Sequence, residues 1–98
     1  MMSNKVTVLA KITIQPEKNT EAKAALLQLA KATKAEKGCI SYDLHQDAKE
    51  ENVYFFYESW ESQQDLDNHL QHKNMADFKE ATKNAIANLT MHTLNILS

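Results

Sequence analysis

The sequence predicts an α+β domain with the ferredoxin-like arrangement, in which a four-stranded antiparallel sheet carries its helices on one face. The order of the predicted elements supports this fold. Segments with strand-like alternation and segments with helix-like spacing follow one another in the order strand, helix, strand, strand, helical pair, strand. This βαββαβ order folds into a plait of that kind. The chain has 98 residues, enough for one hydrophobic core, so a single domain over residues 1–98 is expected.

The first segment alternates cleanly and predicts a half-buried strand from Lys5 to Ile14. Pro16 closes this strand, because proline cannot donate a backbone hydrogen bond. Asn19 or Thr20 can then cap a helix. The inward stripe of this helix has amphipathic spacing and consists of Ala22, Ala25, Leu26, Leu29 and Thr33.

The end of this helix carries a carboxylate in an unfavourable place. Extending the apolar stripe by three residues reaches Glu36, which lies near the negative end of the helix dipole and is not expected to stabilise the helix. Glu36 is therefore either solvated or in contact with a tertiary partner, and we interpret it as locking the turn before Gly38. Gly38 supplies the left-handed conformation that ends helices. A second strand follows over Cys39 to Gln46, with one face formed by Ile40, Tyr42 and Leu44.

The centre of the chain contains an aromatic strand followed by a short helix. The polar run 47–52 predicts a turn, and Val53 to Trp60 form the third strand. Ser62 begins the helix, because Ser62 and Asp65 have the spacing of a capping box, although Asp reaches back less well than Glu. The inward stripe of this helix contains Leu66, His69 and Leu70.

The last part of the chain predicts another helix and the fourth strand. Asn74 can open the helix, and alternation predicts a strand from Leu89 to Leu97. The inward stripe of the helix contains Met75, Phe78, Thr82, Ala85 and Ile86.

The third strand is apolar on both faces, and this predicts a homodimer. The face of this strand that meets the helices can be buried in the core. The opposite face would be exposed to solvent, because the helices cover only one side of the sheet. Monomers rarely expose so large an apolar patch, so two sheets are expected to pack face to face. The two faces are formed by Val53, Phe55 and Tyr57 on one side and by Tyr54, Phe56 and Trp60 on the other.

Composition excludes several classes of function. The net charge is −2 and the sequence has no basic stripe, so nucleic-acid binding is not expected. No apolar run is long enough for a membrane span, and residues 1–5 lack the apolar core of a signal peptide, which predicts a cytoplasmic protein. The single cysteine, Cys39, cannot form an internal disulfide, and we interpret it as a small buried hydrophobe.

The junction between the third strand and the following helix is the predicted site. Alternation places Glu58 and Trp60 on one face of the strand, and helical spacing places His69 on an inward stripe. A carboxyl group, an indole and an imidazole that face inward beside other aromatic rings indicate a pocket.

The chain also resembles a known family. The resemblance covers nearly the whole length and is carried by the order and spacing of Glu36-x-Gly38-Cys39-x-x-Tyr42, Glu58-x-Trp60-x-Ser62, Leu66-x-x-His69 and Phe78. These residues are similar to the antibiotic biosynthesis monooxygenase domain, a family that includes small quinol monooxygenases. The resemblance implies a dimeric α+β barrel that oxygenates a quinol-like aromatic with O2 and uses no flavin, haem or metal. Other members of the family isomerise small phosphorylated sugar-like compounds.

Specific roles follow for the residues of the predicted pocket. His69 suits a general base, because imidazole titrates near neutral pH. Glu58 could orient that imidazole, or act as the base itself if burial raises its pKa. Each of these side chains has a purely structural alternative as a core residue or as a partner of a neighbouring group. The residues expected to contact substrate are Tyr42, Trp60, Met75 and Phe78.

The sequence also bears on metal binding, on haem binding and on activities other than oxygenation. His69 and His72 could reach one metal ion, but no third ligand stands at a recognised spacing, so no metal is expected. Haem-degrading relatives of this fold supply an axial histidine about ten residues beyond His69, where this chain has Lys79, so no haem is expected. An isomerase acting on a small sugar-derived substrate and a non-catalytic dimeric binding or stress-response module remain alternatives to the oxygenase.

Overall fold

The computed structural model describes residues 5–98 and confirms the ferredoxin-like α+β fold. Its four strands pair antiparallel in the order β2-β3-β1-β4. The strands are β1 (Val6–Ile14), β2 (Cys39–Gln46), β3 (Val53–Trp60) and β4 (Ile86–Leu94). The helices of the described residues are α1 (Asn19–Thr33), α2 (Gln63–Leu70) and α3 (Lys73–Ala81), with a short 3-10 turn at Pro16–Lys18 before α1. Residues 1–4, on which the signal-peptide prediction largely falls, lie outside the described residues.

The hydrophobic core lies between the helices and one face of the sheet. Alternate residues of β1 and β3 are buried there, and the register confirms that they share a face, since Ala10 pairs with Phe56 and Val8 with Glu58. No helix in the described part of the chain is long and apolar enough to span a membrane. The largest core side chains that are almost fully buried include Trp60, Tyr42, Tyr54, Phe56, Ile14 and Leu26.

Both ends of α1 differ from the prediction. The residue before the helix is Lys18, and no side chain of the described residues caps the helix, so the predicted cap at Asn19 or Thr20 is wrong. The 3-10 turn already directs the chain into the helix. The side chain of Asn19 instead accepts a hydrogen bond from the hydroxyl of Tyr54 at 2.8 Å. The helix also ends at Thr33, so Glu36 lies in the following turn rather than in a last helical turn.

A β-bulge changes which residues of β2 face the core. The pairing with β3 shifts between Cys39 and Ser41, so Ile40 is an extra residue without a direct partner. Cys39 pairs with Trp60 and packs against the core, whereas Ile40 is 44% exposed. The prediction that Ile40 shares one face of the strand with Tyr42 and Leu44 is therefore wrong. A bulge leaves no signature in the alternation of so short a strand.

The helix caps in the second half are only partly as predicted. Ser62 caps α2 as expected, with its Oγ accepting from the backbone N–H of Asp65. For α3 the cap is His72 rather than Asn74, because Nδ1 of His72 accepts from the backbone N–H of Asn74 at 3.0 Å.

The boundary between α3 and β4 lies earlier than predicted. The helix ends at Ala81 and β4 begins at Ile86, so the predicted helical stripe through Ile86 and the predicted strand start at Leu89 are wrong. Asn84 adopts a left-handed conformation with φ of 68°, and a residue in this conformation cannot continue a right-handed helix.

The face of the sheet opposite the helices is partly open in the single chain. The register places Leu9 of β1 between Tyr57 of β3 and His92 of β4 on this face. Tyr57 is 49% exposed and Leu94 is 39% exposed.

Gly38 has a left-handed backbone with φ of 80°, and a side chain placed there would collide with the carboxyl group of Asp65 in α2. We therefore predict that Gly38→Ala lowers the free energy of unfolding by about 1–3 kcal/mol, through backbone strain and this collision. Urea denaturation followed by circular dichroism measures the change.

Asp65→Ala is the matched background for that experiment. The cost of Gly38→Ala should be smaller when Asp65 is already Ala, because the collision with the carboxyl group is lost and only the contact with Cβ of residue 65 and the backbone strain remain. Equal costs in both backgrounds would show that the carboxyl group of Asp65 contributes nothing to the collision.

Candidate functional site

A cavity of about 330 Å³ lies between the helices and the sheet and receives residues from every strand and helix. Its volume is at the lower end of the range of about 300–1,000 Å³ that is typical of small-molecule sites. The walls are mostly apolar. Four polar or charged side chains are among the lining residues, and these are Tyr42, Glu58, His69 and Lys79.

The structure brings most of the predicted site residues together at this cavity. The predicted residues that line it are Tyr42, Glu58, His69, Met75 and Phe78. Trp60 does not line the cavity but is fully buried, with its ring stacked on His69 at a centroid distance of 4.7 Å. Its indole Nε1–H donates to Oε1 of Glu58 at 2.9 Å. Trp60 therefore positions the two polar side chains rather than contacting the cavity itself.

His69 is held on three sides. Trp60 stacks on its ring, Tyr42 approaches edge-on with a centroid distance of 5.2 Å, and Nδ1 lies 3.0 Å from Oε1 of Glu36. The residue is only 2% exposed. Among residues 5–98, no group hydrogen-bonds to the other ring nitrogen, Nε2. Because a carboxylate oxygen accepts, the neutral ring carries its proton on Nδ1 and has the lone pair on Nε2.

Glu36 is the carboxylate that orients this imidazole, a role that the sequence had suggested for Glu58. The side chain of Glu36 is only 6% exposed, and both of its carboxyl oxygens have partners. Oε1 faces His69, and Oε2 accepts a hydrogen bond from Nδ2 of Asn74 at 2.9 Å. Nδ1 of the half-exposed His72 lies 3.7 Å from the same Oε2. Glu36 thus meets a tertiary partner, one of the two possibilities left open by its position after the helix.

Local structure explains how Glu36 reaches His69. After α1 ends, the backbone N–H of Glu36 donates to the carbonyl of Thr33, and the N–H of Cys39 donates to the carbonyl of Glu36. These bonds form a compact turn that closes at Gly38, which packs directly against Asp65. Asp65 and His69 are four residues apart and therefore lie on the same face of α2. The close approach at Gly38 brings the Glu36 carboxylate against the imidazole one turn further along the helix.

The cavity environment shifts the pKa values of its titratable groups in different directions. Burial lowers the pKa of His69, while the hydrogen bond and the charge of Glu36 oppose this shift and His72 adds to it. Burial raises the pKa of Glu58 to about 7, opposed by the hydrogen bond from Trp60 and reinforced by the charge of Glu36. Burial also raises the pKa of Tyr42 far above its usual value, so its phenol keeps its proton. Near neutral pH the site therefore combines a neutral imidazole, a partly protonated carboxyl group and a phenol.

The remaining candidate groups are not arranged for chemistry. Burial raises the pKa of Cys39 to about 11, which disfavours the thiolate that a nucleophile needs. Within residues 5–98 no cluster of three or more His, Cys, Asp or Glu side chains could hold a metal ion. His45 and His92 are exposed on strands.

Comparison with known proteins gives the same picture for the family and the fold. The family model described as antibiotic biosynthesis monooxygenase matches residues 5–81. An uncharacterized protein of Synechocystis sp. is 30% identical over 82 residues, which are 84% of this chain and 56% of that protein. The chain therefore spans little more than half the length of this curated relative.

Solved structures are similar over almost the whole chain. The Pseudomonas aeruginosa protein PA3566 superposes with a TM-score of 0.92 at 28% identity, covering 100% of this chain and 99% of that one. A Caulobacter crescentus protein, described as a candidate antibiotic biosynthesis monooxygenase, superposes with a TM-score of 0.87 at 26% identity, covering 98% and 92%. A Mycobacterium tuberculosis protein, Rv0793, has the same fold, with a TM-score of 0.86 at 24% identity over 96% of each chain.

The hydrogen bond from Trp60 holds the pKa of Glu58 lower than burial alone would. We predict that Trp60→Phe raises the pKa of Glu58 above its value of about 7, because the indole donor to the carboxylate is lost. Carboxyl-detected NMR titration measures this shift. Tyr57→Phe on the opposite sheet face is the control and should leave the Glu58 titration unchanged; an unaltered pKa in Trp60→Phe would contradict the prediction.

Proposed function

Because the chain belongs to the antibiotic biosynthesis monooxygenase family, we propose that it is a monooxygenase that transfers one oxygen atom of O2 to a small quinol-like aromatic without a bound cofactor. The observation that carries this proposal is the buried imidazole of His69, oriented by Glu36 and facing a mostly apolar cavity. A general base in a water-poor pocket is what activation of a phenolic substrate requires.

The first step of the proposed reaction is a proton transfer. Nε2 of His69 takes the proton of a substrate hydroxyl, and the resulting imidazolium is stabilised by the carboxylate of Glu36 at 3.0 Å from Nδ1. This stabilisation matters because burial alone disfavours a charged ring and lowers its pKa. The substrate oxyanion is more readily oxidised than the neutral phenol, so deprotonation prepares it for O2.

The second step transfers electrons and forms a carbon–oxygen bond. The oxyanion passes one electron to O2, and the substrate radical and superoxide recombine in the cavity to a hydroperoxide that takes up the proton. Loss of water then leaves one oxygen on the ring and the other in water. The quinol thus becomes a hydroxyquinone: it gains one oxygen atom and loses two hydrogen atoms, which leave with the second oxygen as water. All four electrons that reduce O2 come from the substrate.

Glu58 and Tyr42 support this reaction as hydrogen-bond donors. The phenol of Tyr42 keeps its proton, and Glu58, with a pKa of about 7, is partly protonated at neutral pH. Both can donate to the substrate oxyanion or to the peroxide oxygen that leaves as water. Above pH 7 Glu58 becomes an anion and would repel an anionic substrate, so turnover should decline on the alkaline side.

A proton-transfer enzyme is the second candidate. The observation that favours it is the pairing of a base, His69, with a partly protonated acid, Glu58, in one cavity, because an isomerase needs no more than such a pair. Oxygen uptake separates the two candidates, because an isomerase consumes none. A binding module without catalysis would show neither oxygen uptake nor isomerisation.

We predict that His69→Gln lowers oxygen uptake on a quinol substrate on the order of a hundredfold, the usual scale for loss of a general base. The amide of Gln can still donate to Glu36, so the fold should be retained, whereas His69→Ala would also leave a void beside Trp60. An oxygen electrode measures the rate after subtraction of substrate autoxidation.

His72→Gln is the matched control for that experiment. His72 is half-exposed and does not line the cavity, so its loss should leave most of the rate. If His69→Gln turns over as fast as the wild type, His69 is not the base.

We also propose that two copies of the chain associate through the open face of the sheet. The apolar residues on this face include Leu9, Phe55, Tyr57 and Leu94, and the helices cover only the opposite face. A second copy is the proposed occupant because the patch is apolar and no helix within residues 5–98 covers it, and two such faces are complementary to each other.

We predict that sedimentation at micromolar concentration gives a dimer and that Tyr57→Lys shifts it to a monomer, because a charge would be buried at the centre of the interface. Leu27→Lys is the control, since Leu27 is 54% exposed on α1, away from this face. A wild-type monomer at that concentration would overturn the proposed dimer.

A further inference from the structure

We propose that the substrate is an aromatic hydroxy acid whose carboxylate is bound by Lys79 at the mouth of the cavity. This inference rests on the proposed function, since it names the substrate class of the same site. Lys79 is the only cationic side chain among the lining residues within the described chain. It is exposed, whereas Tyr42, Glu58 and His69 are buried, so it marks the solvent end of the cavity.

The charge of Lys79 is available to a ligand. Lys73, the other lysine of α3, forms an ion pair with Asp77 at 2.7 Å, four residues further along the helix. The positions three and four residues from Lys79 hold Ala76, Thr82, Met75 and Lys83, none of which is acidic. No ion pair of Lys79 occurs within residues 5–98.

The charges of the cavity also orient an acidic ligand. A carboxylate placed deep in the cavity would lie near Glu58 and would lose its hydration without gaining a cation. At the mouth it meets Lys79 and remains partly hydrated. The aromatic ring then lies against the apolar walls, where Met75, Phe78 and Leu89 contribute, and its hydroxyl points toward His69.

Binding of a matched pair of ligands tests this inference. The pair is 2,5-dihydroxybenzoate and its uncharged amide, and dissociation constants are measured without oxygen, so that no turnover occurs. Trp60 is the single tryptophan of the chain and stacks on His69, so its fluorescence reports occupation of the cavity. We expect the acid to bind about fivefold more tightly than the amide, in line with a partly exposed ion pair, and added salt should reduce this preference.

The variant Lys79→Gln should remove the preference for the acid while leaving the affinity for the amide unchanged. Lys83→Gln is the control, because Lys83 is exposed but does not line the cavity, and it should keep the preference. Equal binding of acid and amide by the wild type would overturn the inference, as would no binding of the acid at millimolar concentration. An equal loss for both ligands in Lys79→Gln would also overturn it, because Lys79 would then serve only the end of α3.

Two further outcomes are informative. If 4-hydroxyphenyl phosphate binds more tightly than the acid, the commitment to a carboxylate is wrong. A Lys79-dependent preference for the acid without oxygen uptake in air would overturn the proposed oxygenase while leaving the inference about substrate charge intact.

Discussion

The contact between Glu36 and His69 is the interaction on which the rest of the site depends. It joins the turn after α1 to the last turn of α2, and Asn74 of α3 holds the second oxygen of the same carboxylate. Three segments of the helix layer therefore converge on one buried carboxyl group. This contact fixes the proton of the neutral imidazole on Nδ1. The lone pair of Nε2 is then available to a ligand in the cavity.

The two carboxyl groups of the site differ because their surroundings differ. Glu36 has His69 and Asn74 as partners, one for each oxygen, and His72 lies nearby. Glu58 faces a mostly apolar cavity and has one hydrogen-bond donor among residues 5–98, the indole of Trp60, and burial raises its pKa to about 7. The same chemical group is thus suited to stabilise a cation in one place and to carry a proton in the other. Trp60 links the two environments, since it stacks on the imidazole and donates to Glu58.

The cavity is lined by solvent-exposed side chains at one end and by buried aromatic rings at the other. Tyr42 packs against Phe56 at a centroid distance of 4.6 Å and approaches both Trp60 and His69, so the polar groups are set in a rigid aromatic cluster. Rigid packing of this kind limits the rearrangement needed when charge develops in the site. The exposed end has Lys79 and the side chains of Leu89 and Met91 of β4 instead.

Periodicity in the sequence is enough to predict the order of elements, the faces of β1 and β3, and the inward positions of Glu58 and His69 at the junction of β3 and α2, whereas Met75 and Phe78 are expected at the pocket from the family resemblance. It carries this information because the side-chain directions of a strand or a helix follow from spacing. Three features emerge only when the chain is folded: Glu36 rather than Glu58 holds the imidazole, Ile40 is the extra residue of a bulge, and Trp60 lies behind the cavity wall. They depend on where a turn directs one side chain and on how closely Gly38 lets two segments approach, and a local hydrophobic pattern encodes neither.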